Sequence, residues 1–207
     1  MTNNNDRIRQ HFDRIAPDWD SRQDEQLIQR ELRFLLEQEH AGGDESVLDI
    51  GCGTGVSSAA LLQSLSARGR LYALDLSSQM LTRATIKIRD QRCLFLQAAV
   101  QEIPLACGSI DRCLSFSAWP HFENMSRIAQ ELHRVLTPGG FLHIWHHDSR
   151  EAVSAIHRRI GGVIATHIFP PPDDLIHTLQ AYGFELAAIS DTPAHFRATF
   201  RRSSFTT

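Results

Sequence analysis

The chain has 207 residues, 42% of them apolar, and its 21 basic and 24 acidic side chains leave a formal charge of -3. This composition fills the core of one α/β domain and excludes a disordered chain, while the mixed charges give no broad field for nucleic acid or anionic lipid. No apolar run nears the ~18 residues of a spanning helix, and the start "MTNNNDRIRQ" lacks a signal peptide's apolar centre, so a cytoplasmic protein with no membrane partner is expected. Cys52, Cys93, Cys107 and Cys113 form no C-x-x-C pair, which points to free thiols and away from a zinc knuckle or a disulfide framework.

Beyond a helical N-terminal segment, "SVLDI" reads as the first strand, and the apolar spacing of "VSSAALLQSLSA" predicts a helix after it. "RLYALDL" is a second strand, and "SSQMLTRATIKIRD" a helix capped by Ser77 or Ser78. "RCLFLQA" and "IDRCLSFS" read as strands three and four. A helix over about residues 126–136 carries Ile128, Leu132 and Val135 at helical spacing and ends at "TPGG", a stop signal before a fifth strand, "FLHIWHH". "SREAVSAIHRRI" looks helical, "GGVIATHIFPPP" irregular, and residues 173–182 helical again; "FELAAIS" and "HFRATFR" fit a closing antiparallel hairpin. The alternation of strand and helix is that of a mostly parallel sheet covered on both faces.

The chemistry starts in "VLDIGCGTGV", residues 47–56. A turn from a strand end into a helix points main-chain N–H groups outward, and Gly51, Gly53 and Gly55 let a ligand come close to them. The dinucleotide fingerprint G-x-G-x-x-G/A would need a small residue at position 56, where this chain has Val56. Asp49 would also repel a pyrophosphate, whereas it favours a cation. Asp75 ends the second strand, twenty residues after Gly55, where a carboxylate can accept hydrogen bonds from both ribose hydroxyls of an adenosyl group. Met80 follows on the next helix, where it suits the cofactor and the core equally.

"VLDIGCGTG" with "YALDLSSQML", then "GSIDRCLSFSAWPHF" and "RVLTPGGFLHIW", resembles the class I S-adenosylmethionine (SAM)-dependent methyltransferases over nearly the whole chain, and "FDRIAPDWD" is similar to the N-terminal helix of their quinone-biosynthesis and small-molecule branch. The resemblance implies a Rossmann-like seven-stranded, mostly parallel sheet with helices on both faces and an antiparallel last strand. It implies one domain with an N-terminal helical cap (1–45), a cofactor-binding core (46–147) and a substrate-side connection with closing strands (148–207). It transfers cofactor contacts to Asp49, Gly51, Cys52, Gly53, Gly55, Asp75, Met80 and Ser117, and Trp19 takes the place of an aromatic residue that closes over the cofactor. Two departures stand out. Ala99 replaces an aspartate that often binds the adenine amino group, leaving adenine to the backbone near Val100 and to apolar neighbours such as Leu76. "SFSAWPHF" holds Pro120 and His121 where related enzymes often carry two histidines, and it is not the N-P-P-Y or D-P-P-Y of base-amino methyltransferases, so nucleic acid is not the expected acceptor.

Eleven histidines, seven from His143 onward, crowd the carboxyl end of the fifth strand, but they match no metal-binding spacing, and no metal is expected. His121 or His146 acting as general base fits better, because imidazole titrates near neutrality and takes the proton of a hydroxyl or thiol as the methyl transfers. The acceptor is read as a small molecule held by the N-terminal helices, the "SAWPHF" loop and the connection 147–172. Whether the nucleophile is O, S, N or C stays open, as does a homodimer. A SAM-binding regulator without catalysis and, less favoured by Val56, a nicotinamide oxidoreductase remain as alternatives.

Overall fold

A computed structural model describes residues 4–204; the first three residues of the polar start lie outside the described residues. Its strands are β1 (Ser46–Ile50), β2 (Arg70–Asp75), β3 (Cys93–Gln97), β4 (Ile110–Phe116), β5 (Leu136–His146), β6 (Phe184–Asp191) and β7 (Phe196–Arg202). They are ordered β3-β2-β1-β4-β5-β7-β6, the expected seven-stranded Rossmann-like arrangement, and the last strand, β7, runs antiparallel to β5. The chain divides between Ala99 and Val100 into two compact units. No described helix is long and apolar enough to cross a membrane.

The first unit contains α1 (Asn4–Ile15), two single 3-10 turns at Ala16–Asp18 and Asp20–Arg22, α2 (Glu25–Gln38), α3 (Val56–Ser64) and α4 (Ser78–Lys87). β1 pairs in parallel with β2, Asp49 opposite Ala73, and Val47 to Ile50 are all buried, as a parallel strand covered on both faces requires. α2 begins at Asp24, whose carboxylate accepts the Leu27 amide at 3.0 Å, and buries Ile28, Leu32 and Leu36 at four-residue spacing. The cap of α4 is Ser77, whose hydroxyl accepts the Met80 amide at 3.1 Å.

The second unit contains α5 (Met125–Val135), α6 (Arg150–Ile160) and α7 (Pro172–Ala181). α5 buries Ile128, Leu132 and Val135, the expected stripe. β5 starts at Leu136, earlier than "TPGG" read as a stop would place it. Leu136 pairs with Ile110 as soon as α5 ends, and the register then shifts so that Arg112 faces Phe141. Pro138 falls within that irregularity, where its missing N–H costs no ladder bond, and Gly139 supplies a φ of +80°. β6 and β7 form the antiparallel hairpin expected at the end of the chain.

Candidate functional site

In the first unit, the end of β1 passes through the glycine loop into α3. Gly51, Gly53 and Gly55 all have positive φ, at 70°, 54° and 91°, which no β-branched residue adopts without strain. Their needs differ beyond that. A Cβ on Gly55 would lie 2.9 Å from Ile88 Cδ1 and 3.3 Å from Ala84 Cβ, so this glycine lets α4 pack close. A Cβ on Gly53 would meet only Trp19 Nε1, at 3.9 Å, so that position opens toward the indole. Cys52 turns its thiol into the core against Ala73 and Leu81, where burial raises its pKa far above the usual thiol range; only its main chain is available to a ligand. Met80 is likewise fully buried, in α4.

Asp49 is buried completely. Its Oδ2 accepts hydrogen bonds from Ser57 Oγ at 2.8 Å and Ser58 Oγ at 2.6 Å, while Oδ1 has no partner. Burial, joined by the charge of Asp75, pushes its carboxyl up to about 6 against the two serine bonds. Asp75, half-buried at the end of β2, accepts the Gly53 amide at 2.8 Å on Oδ2 and the Ser77 amide at 2.8 Å on Oδ1. It too is pushed up to about 6, by burial first and by Asp13, against those amides. A carboxylate offers about four lone-pair sites, so the two amides leave room for hydroxyl donors. Two carboxyls each raised by burial and by a neighbouring acid are what a bound cation relieves, and this loop therefore fits a ligand carrying a sulfonium and an ammonium.

The N-terminal segment is tied to the same loop by residues that the sequence did not single out. Asp13 on α1 accepts Ser77 Oγ at 2.6 Å and the Gln79 amide at 3.1 Å, and Asp20 accepts Thr54 Oγ1 and pairs with Lys87 at 3.1 Å. Trp19 lies between them, edge-on to Phe12 at 6.0 Å. Leu76, half-buried, follows Asp75, and its carbonyl accepts the Gln97 amide at 3.5 Å. The run of acids in "FDRIAPDWD" was the available signal, but which hydroxyl each would meet is set by chain segments 34 and 64 residues away.

In the second unit, Val100 is buried and Ser117 holds a φ of +55°, a region rarely occupied outside glycine, with its hydroxyl 3.0 Å from His147 Nδ1. Ser115 Oγ, Trp119 Nε1 and His146 Nε2 are buried without hydrogen-bond partners. Burial, then the neighbouring His147 and His157, lower the His146 pKa to about 3, which makes it a weak base. His121, at the end of a 3-10 turn after β4, is half-buried; its Nδ1 lies 3.1 Å from His167 Nδ1, and its ring centroid 4.6 Å from that of His157. The structure thus gathers His121 with His157 and His167, and leaves His146 packed edge-on to Phe169 at 4.7 Å. Among the described residues, no group of three or more His, Cys, Asp or Glu is set to hold a metal ion. A cavity of about 180 Å³ lined by Trp119, Met125, Pro170, Leu175 and Leu179 is smaller than a typical ligand site of ~300 Å³ or more.

Residues 48–144 match the methyltransferase-domain family. The chain is 31% identical over 185 residues to a malonyl-[acyl-carrier protein] O-methyltransferase of Pectobacterium atrosepticum, covering 88% of this chain and 70% of that protein. It spans only about half the length of several other curated relatives of the same description. Among solved structures, a SAM-dependent methyltransferase from Aquifex aeolicus superposes with a TM-score of 0.69 at 19% identity, over 83% of this chain and 89% of that one. The [4+2]-cyclase SpnF superposes with a TM-score of 0.78 at 17% identity over 96% of each chain, a likeness of fold alone. The nicotinamide alternative falls away, the cofactor is SAM, and the chain belongs to the class I SAM-dependent methyltransferases.

Proposed function

We propose that the chain transfers a methyl group from SAM to an oxygen of a small acceptor. The observation that carries this reading is the similarity to an O-methyltransferase across 88% of the chain. SAM supplies a methyl group already activated on a positively charged sulfur, so the protein has mainly to align the acceptor and exclude water. We assign cofactor binding to the glycine loop with Asp49, Asp75 and Trp19 and the flanking Cys52, Leu76 and Met80, joined by Val100 and Ser117. Asp49 and Asp75 complement the cofactor's positive charge, and Asp75 also accepts the ribose hydroxyls.

His121 is assigned as the proton acceptor. His146, a weak base at about 3, serves better as a neutral hydrogen-bond acceptor through its unpartnered Nε2. The three-part division into cap (1–45), core (46–147) and substrate side (148–207), a cytoplasmic location and a homodimer belong to the same proposal. Incubating the protein with methyl-labelled SAM, a malonyl thioester and a metabolite extract tests it. Label in a methyl ester or ether is the expected result, and label confined to sulfur, nitrogen or carbon sinks it.

A further inference from the structure

Three histidines of the second unit are joined by two hydrogen bonds, one to a main-chain oxygen and one between rings. His157 places Nδ1 2.6 Å from the main-chain oxygen of His167, so this nitrogen carries a proton and donates it. His167 in turn sets its Nδ1 3.1 Å from Nδ1 of His121. A hydrogen bond between two ring nitrogens needs a single proton between them: with none there is no donor, and with two there is no acceptor.

The rings differ in burial. His167 is 6% exposed and His157 7%, whereas His121 is half-buried. The more exposed ring, His121, is the better-solvated seat for a charge, and the buried His167 the better neutral acceptor. The groups around the pair reinforce this. Burial, then His157, keep the His167 pKa below the ordinary imidazole value, against the opposing pull of Glu123, and His146 is held neutral in the same unit.

We propose that His167 is a positioning residue for methyl transfer: it accepts the Nδ1–H of His121, so that His121 presents Nε2 as the proton acceptor, and the acceptor molecule is an alcohol or phenol. This rests on the assignment of His121 as base. As the oxygen forms its bond to the methyl carbon and the methyl–sulfur bond breaks, the hydroxyl proton passes to His121 Nε2 and the sulfonium leaves as a neutral thioether. The imidazolium so formed donates a charge-assisted bond to His167 until its proton is lost to water. A carboxylate, ionised well below neutrality, has no proton to give and needs no such pair.

The proton positions are read by nitrogen-15 NMR of the full chain with S-adenosylhomocysteine bound. The expected result is a proton on His121 Nδ1, a bare Nε2 above neutrality, and uptake of one proton by the pair on acidification. A proton on His121 Nε2 with a bare Nδ1, or independent protonation of both rings, overturns the proposal.

Kinetics use a matched pair of probes, 3-hydroxypropionyl and malonyl pantetheine thioesters, which differ in offering a hydroxyl or a carboxylate. With the hydroxyl probe, His167→Leu should lower kcat about tenfold or more while leaving the SAM KM within about twofold, and should move the acid limb of the rate profile to lower pH. His167→Asn, whose amide oxygen sits at the level of Nδ1, should restore most of the rate. Transfer to the malonyl probe alone, at a rate indifferent to His167, overturns the alcohol assignment and leaves O-methylation standing. An Asn variant no better than Leu overturns the positioning role. If neither thioester accepts a methyl group, the proton position on His121 decides.

Discussion

Burial disfavours the charged form of two carboxyls in the first unit and of three imidazoles in the second. In the first, Asp49 and Asp75 are carboxyls raised to about 6, each by burial and by another acid. In the second, His143, His146 and His167 are imidazoles lowered by burial, so that they stay uncharged at neutral pH. The first unit stores a demand for positive charge, which the cofactor meets; the second keeps its bases neutral, which proton transfer requires. Binding and proton chemistry are thus assigned to different parts of the chain, and substitutions should separate them.

The largest effect should come from His121→Ala. If the second unit carries the proton chemistry, kcat falls by ~10²-fold or more while SAM affinity stays within a factor of about two. The wild-type rate should also fall on acidification, and the variant should lose that limb. Unchanged kcat and an unchanged profile would make this histidine a bystander.

Asp75→Ala should do the reverse, weakening SAM by ~1.5 to 3 kcal/mol in titration calorimetry with little change in kcat at saturation, because charge-assisted bonds to ribose are lost. The substitution also strips the Gly53 and Ser77 amides of their acceptor, so the loop itself should loosen. Affinity that survives the change would remove Asp75 from the site.

A third expectation concerns charge alone. Because Asp49 and Asp75 must be ionised to attract a sulfonium, the SAM Kd should rise as pH drops through about 6, by up to about tenfold per pH unit for each proton taken up. S-adenosylhomocysteine, whose sulfur is neutral, should respond less. Parallel curves for the two ligands in calorimetry would mean that the carboxylates serve the loop and not the sulfur.

The fold was legible because parallel strands announce themselves as apolar runs and each helix carried a stripe or a cap, as with Ile128, Leu132 and Val135 or Ser77. β5 was misjudged at its start because Pro-Gly-Gly ends a helix just as readily as it fills an irregularity within a strand. The glycine loop and its acids were visible as spacing, but the packing role of Gly55 depends on Ala84 and Ile88, almost thirty residues or more away, which no local pattern reveals. Histidine enrichment was equally plain. The contact of His121 with His167 crosses 46 residues and follows from where the connection after α6 runs, a tertiary fact.

The smallest effect tests whether the two units respond to acid in opposite directions. A buried carboxyl whose folded pKa is raised from 3.8 to about 6 binds more protons folded than unfolded in that window. Its contribution to stability is complete below about 3.8 and is lost as pH rises through about 6, so acidifying from pH 7.5 to 5.5 stabilises the ligand-free first unit by about 1 kcal/mol from Asp49, and Asp75 adds a similar amount. His146, lowered from 6.5 to about 3, binds more protons when unfolded, and the second unit loses about 1 kcal/mol per pH unit below 6.5 from this residue. Amide protection, taken relative to the intrinsic exchange rate at each pH, should therefore rise in β1 and α3 and fall in β5 and β7 over the same two pH units. Asp49→Asn, which carries no titrating proton, should remove about half of the gain in β1 and α3, the share of Asp75 remaining, while leaving the loss in β5 and β7 untouched. If the protection of all four elements instead changes together with pH, the two units unfold together, and the opposed titrations cancel within one cooperative transition.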